Sequence, residues 1–200
     1  MALLSSAAPR GGLMIPDVTR VTPLFTDAQI QERVAALGAQ ISKDYAGKDL
    51  TLVGILKGSV PFLADLMKSI TIPLQIDFLE VSSYGGGMSS SGQVRLVKDL
   101  SHPIGGKHVL VVEDIVDTGL TLRYLLEMFE TREPASLGIA SLLDKPGGRV
   151  PGTDLTIDYL GFSIPNHFVV GYGLDLAGYF RNLPFVGVYD PPAGQDPHAG

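Results

Sequence analysis

The chain has no cysteine. Disulfides, thiolate nucleophiles and cysteine-held zinc are therefore excluded. Basic residues are also scarce, 15 Lys and Arg against 21 Asp and Glu, for a formal charge of −6. A general nucleic-acid binder carries a basic stripe, and none is visible. An acidic protein can still hold phosphates with a few placed cations and backbone amides. No apolar run approaches the ~18–20 residues of a membrane span. The four histidines, His102, His108, His167 and His198, form no HExxH-like cluster. The Walker pattern GxxxxGK(S/T) is missing, and no glycine-rich stretch matches GxGxxG. There is no internal repeat. Residues 1–12 are small and mildly apolar, with Arg10 after the apolar part rather than before it, which reads as a tail and not a signal peptide. Cytoplasmic residence follows as the default.

What is present is a globular composition. Hydrophobic residues make up 45% and charged residues 18% of 200 positions, enough for one domain with a real core. The expected division is a flexible tail over 1–20, a single domain over 21–189 and a second flexible tail over 190–200. Residues 26–46 read as a helix, with Thr26 and Gln29 spaced as a capping box and Ile30, Val34, Leu37 and Ile41 on one face. Gly47 ends it. The spacing predicts strands over 50–56, 74–83, 107–113, 135–143 and 155–160, a last short strand over 185–189, and helices over 60–69 and 119–131. Strands alternating with helices imply an α/β fold with a largely parallel, doubly wound sheet. Residues 84–93, with four glycines and three serines, read as a mobile hairpin-like loop over a site.

One segment carries most of the chemistry: Val109-Leu-Val-Val-Glu113-Asp114-Ile-Val-Asp117-Thr118-Gly119-Leu120-Thr121. An apolar strand ends in two adjacent carboxylates, and an Asp-Thr-Gly turn leads into a helix. In an open parallel sheet, ligands bind beyond the carboxyl ends of the strands. The turn offers free backbone N–H groups, two hydroxyls and a helix N-terminus, which suits a phosphate. Glu113 and Asp114 can accept from vicinal hydroxyls or hold hydrated magnesium, and Asp117 can move a proton. The bland alternative is capping: two acids at a strand end and Asp117 on a helix N-terminus. It accounts for one acid better than for three.

This segment resembles the phosphoribosyl-pyrophosphate signature of type I phosphoribosyltransferases. The resemblance covers residues 25–189, and other segments point to the hypoxanthine-guanine branch. It implies that branch's fold, a twisted sheet flanked by helices with a small hood subdomain. It implies that Glu113 and Asp114 meet the ribose hydroxyls and that Asp117, Thr118, Gly119, Leu120 and Thr121 cradle the 5′-phosphate. Leu120 brings no side-chain donor, so its contribution is the backbone amide. Leu56-Lys57-Gly58-Ser59 resembles the family's pyrophosphate loop, where a dipeptide often takes a strained cis form. Ser83-Tyr84, with the glycine-serine stretch after it, resembles the family's long mobile loop. Lys145, in Leu143-Asp-Lys145-Pro, would donate to a purine 6-oxo group. Phe168 would stack on the base, Val169 would read its edge by backbone, Asp175 would hold magnesium with Glu113 and Asp114, and Arg181 would meet the pyrophosphate. Taken singly, Lys57, Lys145 and Arg181 also read as surface cations, and Phe168 as a core aromatic.

The activity so implied is purine salvage. The 5-phosphoribosyl group passes from phosphoribosyl pyrophosphate to N9 of hypoxanthine or guanine, giving IMP or GMP and pyrophosphate, with magnesium as cofactor and Asp117 as the proton-handling group. A homodimer or homotetramer is expected, with no nucleic-acid or membrane partner. Three alternatives stay in view: a regulator of the same fold that binds RNA or DNA, an enzyme for xanthine or a pyrimidine, and a flavodoxin-like phosphate binder.

Overall fold

The computed structural model describes residues 15–83, 94–153 and 155–192. A six-stranded sheet carries the fold. Its strands are β2 (Leu50–Leu56), β3 (Leu74–Ser83), β4 (Val94–Lys98), β5 (His108–Val116), β6 (Ser136–Asp144) and β7 (Tyr159–Ser163), in the order β4-β3-β2-β5-β6-β7. All neighbours are parallel except β3 and β4. A second, antiparallel sheet orders β1 (Val21–Phe25), β9 (Val186–Tyr189) and β8 (Val169–Val170) side by side.

Period-2 alternation sends the central strands' side chains to two separate cores. Leu50, Leu52, Leu110, Val112, Ala140 and Leu142 pack with helix α1 (Asp27–Asp44) and helix α2 (Val60–Ser69). Val53, Ile55, Val109, Val111 and Ile139 face helix α3 (Leu120–Glu130) through Leu122, Leu125 and Phe129. Both faces are covered, which is why these strands are apolar almost throughout. Helix α1 begins as expected: Thr26 and Gln29 form a reciprocal capping box. Its Ile30, Val34, Leu37 and Ile41 are all buried, each contributing about 1.5–3 kcal/mol of apolar burial. The small sheet has its own core, where Val21, Val170, Phe180 and Tyr189 meet Phe168 and Leu183. No helix among the described residues is long and apolar enough to cross a membrane.

Several boundaries move from their sequence positions. Strand β5 does not stop at Glu113 but continues to Val116, because Ile115 and Val116 pair with Leu143 and Asp144. Strand β7 lies at Tyr159–Ser163 rather than 155–160; Leu155 and Ile157 pack against the α3-side core without joining the ladder. Strand β1 has no counterpart in the sequence reading. Its Pro23 is tolerated because β1 is an edge strand, with an irregularity between Pro23 and Phe25.

Candidate active site

Strand order reverses between β2 and β5: the chain leaves β2 toward β3 on one side and leaves β5 toward β6 on the other. Such a switch point opens a crevice beyond the carboxyl ends of the two strands. The segments entering it are 57–59 after β2 and 117–119 after β5. Two adjoining cavities occupy this end. One, of about 270 Å³, is lined by Asp114, Ile115, Asp117, Lys145, Phe168, Val169, Leu174 and Asp175. The other, of about 170 Å³, is lined by Glu113, Ile115, Val116, Asp117, Thr118, Gly119, Thr121 and Leu122.

Because side chains alternate along β5, the adjacent acids Glu113 and Asp114 serve different cavities. Both are shielded from water. Burial, then the neighbouring Asp114 charge, pushes Glu113 well above the usual carboxylate range. Burial lifts Asp114 to about 6, against backbone N–H donors and the Arg181 guanidinium, which lower it, while Asp175 adds to the rise. The Ile115 N–H donates to Asp114 Oδ1 at 2.9 Å. Two crowded acids held in this state want hydroxyl or cationic partners from a ligand.

The turn after β2 is built around Asp114. The Leu56–Lys57 peptide bond is cis. A Cβ on Gly58 would lie 1.6 Å from Asp114 Oδ2, so any larger residue there must push the Asp114 carboxylate aside. Gly173 in turn lies against the Gly58 carbonyl, which a Cβ at 173 would approach to 2.0 Å. Lys57 is exposed at the mouth of the turn.

Asp117 lines both cavities. It does not cap α3: Gly119 holds the N-cap position with φ +80°, and the Leu120 N–H donates to Thr118 Oγ1 at 3.4 Å. Its carboxylate faces Lys145, whose Nζ lies 3.5 Å from Asp117 Oδ2 on an almost fully buried side chain. Phe168 is partly buried, edge-on to Tyr189. Asp175 receives the Gly178 N–H at 2.7 Å and pairs with Arg181 at 2.6 Å. Arg181 also donates to the Gly173 carbonyl at 2.6 Å.

The structure thus brings together Gly58, Glu113, Asp114, Asp117, Thr118, Gly119, Thr121, Lys145, Phe168, Val169 and Asp175, with Arg181 tied to Asp175. Leu120 begins α3 beside them. Among the described residues no three acid or histidine side chains converge as a self-sufficient metal cage. Ser83 ends β3, and Tyr84 with the rest of 84–93 lies outside the described residues. Two residues without a sequence signal, Arg149 and Thr153, reach the 117–121 turn and line a separate cavity of about 300 Å³ with Asp144, Pro146 and Leu155.

Residues 24–176 match the phosphoribosyl transferase domain family. The chain belongs to that family. It is 54% identical over 172 residues to a hypoxanthine-guanine phosphoribosyltransferase of Streptococcus pneumoniae, covering 86% of this chain and 93% of the relative. A protein of the same name from Bacillus subtilis is 46% identical over 179 residues, covering 90% and 97%. Among solved structures, a hypoxanthine phosphoribosyltransferase from Staphylococcus aureus superposes with a TM-score of 0.84 at 46% identity, covering 89% of this chain and 96% of that one.

Proposed function

We propose that the protein is a purine salvage enzyme that transfers the 5-phosphoribosyl group from phosphoribosyl pyrophosphate to N9 of hypoxanthine or guanine, releasing IMP or GMP and pyrophosphate. The observation that carries this reading is the paired cavity at the β2–β5 switch point. One half offers an aromatic, a buried amine and acids; the other offers an acid and a ring of turn amides; Asp117 belongs to both.

The purine lies against Phe168, with Lys145 donating to its 6-oxo group. A donor there favours a 6-oxopurine over adenine, whose amino group would need an acceptor. The 5′-phosphate sits on the amides of the 117–121 turn, at the N-terminus of α3. Glu113 and Asp114 accept from the ribose hydroxyls. The bond from ribose C1 to pyrophosphate breaks with ribosyl-cation character, and purine N9 forms the new bond to C1. Asp117 takes the purine proton or holds it at N7. Lys57 and Arg181 stabilise the departing pyrophosphate.

Magnesium fits the donor set. It accepts one or two carboxylates and completes its shell with phosphate oxygens and water, so a three-acid cage is not required. Asp114, Asp175 and Glu113 would hold it, and when bound it neutralises charge on the pyrophosphate. A homodimer or homotetramer in the cytoplasm belongs to the same reading.

The test is incubation of the protein with magnesium, phosphoribosyl pyrophosphate and hypoxanthine, guanine, xanthine or adenine, followed by nucleotide chromatography. IMP or GMP, lost on chelation, is the expected product. Phosphoribosyl pyrophosphate binding with no nucleotide from any base would favour a regulator instead. In the same assay Asp117→Asn lowers turnover by about 10²–10⁴-fold with little change in substrate binding. Unchanged turnover would remove Asp117 from the proton role.

A further inference from the structure

The carbonyls of Val116, Asp117 and Thr118, at the end of β5 and in the turn after it, are all engaged, and their partners come from one segment, 145–153. The Lys145 N–H donates to Val116 O at 3.0 Å. Arg149 Nη1 donates to Val116 O at 2.8 Å and also to Asp117 O. The Val150 N–H donates to Thr118 O at 3.2 Å. The buried Thr153 hydroxyl shares its proton between Thr118 O, at 2.9 Å, and Val150 O, at 2.6 Å. The other guanidinium nitrogen, Nη2, pairs with Asp144 at the end of β6. Arg149 therefore bridges the ends of two neighbouring strands.

In a planar trans peptide the C=O and N–H point in opposite directions. The cis bond of the described backbone is at Leu56–Lys57, so the bonds from 116 to 119 are trans. Holding the oxygens of Val116, Asp117 and Thr118 toward 145–153 turns the N–H groups of Asp117, Thr118 and Gly119 the other way, toward the cavity those residues line. No described residue accepts from these three N–H groups. A cation on a carbonyl oxygen also polarises its peptide and strengthens the opposite N–H as a donor.

We infer that Arg149, seconded by Thr153, is a positioning residue for the 5′-phosphate: it fixes and polarises the amides that receive the phosphate without touching the ligand. This rests on the functional reading above, in which the 117–121 turn holds that phosphate. Pyrophosphate, bound at the other end of the site, is the internal control.

The experiment is calorimetric titration of the full chain with ribose 5-phosphate and, separately, with magnesium pyrophosphate, alongside melting curves. Arg149→Gln should weaken ribose 5-phosphate by about tenfold, the equivalent of losing one charge-assisted hydrogen bond. Its affinity for magnesium pyrophosphate should stay near the wild-type value. Thr153→Val should act in the same direction by less, and it carries the test alone if Arg149→Gln does not fold. Arg149→Lys should recover part of the loss. Equal weakening of both ligands, or no weakening of either, would overturn the inference. Wild-type protein that binds neither ligand would overturn the functional reading and the inference with it.

Discussion

Two groups of buried acids lie in neighbouring parts of the same sheet and are treated in opposite ways. Asp77, on β3, is surrounded by donors. Its Oδ1 receives the Phe78 N–H at 2.7 Å, and its Oδ2 receives those of Ser101 at 2.7 Å and His102 at 3.2 Å. Lys98 stands 3.7 Å away. Burial alone would raise its pKa, but the three N–H donors and Lys98 outweigh burial and hold it below the usual carboxylate value. Glu113 and Asp114, on β5, the first buried and the second half-buried, have fewer donors, and burial pushes both above the usual carboxylate range. Asp77 is complete within the protein and pins the turn around residue 101 to β3. The β5 pair is left wanting partners, which is the condition of a group meant for a ligand.

The largest expected effect separates the two roles outright. Glu113→Gln combined with Asp114→Asn should lower nucleotide formation by about 10²–10³-fold, the scale for removing groups that act on the reacting centre. The same variant should melt higher in magnesium-free buffer. Removing a buried like-charge pair returns about 1–2 kcal/mol, or roughly 2–8 °C for a chain of this size. A variant that is both inactive and less stable would mean that the acids hold the fold together.

A smaller perturbation keeps the charge and moves only its position. In Gly58→Ala the new methyl displaces the Asp114 carboxylate, since it would sit 1.6 Å from Oδ2. A displacement of about 1 Å at a reacting site can cost on the order of 10–100-fold in kcat/KM. The side chain can swing aside, so the stability cost should stay near about 1 kcal/mol. Steady-state kinetics beside a melting curve decides this; wild-type kinetics would show that Asp114 need not stay where Gly58 holds it.

Much of this contrast is written in the sequence, but unevenly. The run from Val109 to Thr121 announces a strand, a turn and a helix because apolar periodicity and turn chemistry are local. Asp77 gives no such sign, being one acid in Leu74-Gln-Ile-Asp77-Phe, two of whose three N–H donors come from 24 and 25 residues further on. Arg149 and Thr153 are hidden for the same reason, since they bond to backbone carbonyls and backbone carries no residue code. The extension of β5 to Val116 depends on pairing with β6, and β1 exists only because β9 lies beside it. The mixed order of the sheet, and with it the crevice between β2 and β5, is likewise a property of long-range pairing.

Asp77→Asn is the mirror of the double variant. One carboxylate oxygen becomes an amide that faces N–H donors, leaving a buried donor without an acceptor. The expected cost is about 1–3 kcal/mol, roughly 2–12 °C in Tm. Turnover of the folded protein should keep its wild-type value. A loss of turnover without a loss of stability would place Asp77 in the site and erase the contrast.

The smallest effect is a difference in slope with pH, and its sign differs between the two regions. Asp77 has a depressed folded pKa, so its stabilisation is present above the unfolded value of about 4 and is lost as pH falls through the lower folded value. The gap between wild type and Asp77→Asn should therefore be constant above about pH 4 and narrow below it. Asp114 has a raised pKa, about 6. Between about pH 4 and pH 6 the folded chain binds a proton there that the unfolded chain does not, so stability is lost as pH rises through that window. Asp114→Asn, measured without magnesium, should gain on wild type from pH 4 to pH 6 and hold its advantage above. Each full proton of difference corresponds to about 1.4 kcal/mol per pH unit, within reach of urea titrations at five or six pH values. Parallel curves for wild type and Asp114→Asn across that window would mean that Asp114 is already satisfied in the free protein, and the comparison with Asp77 would fail.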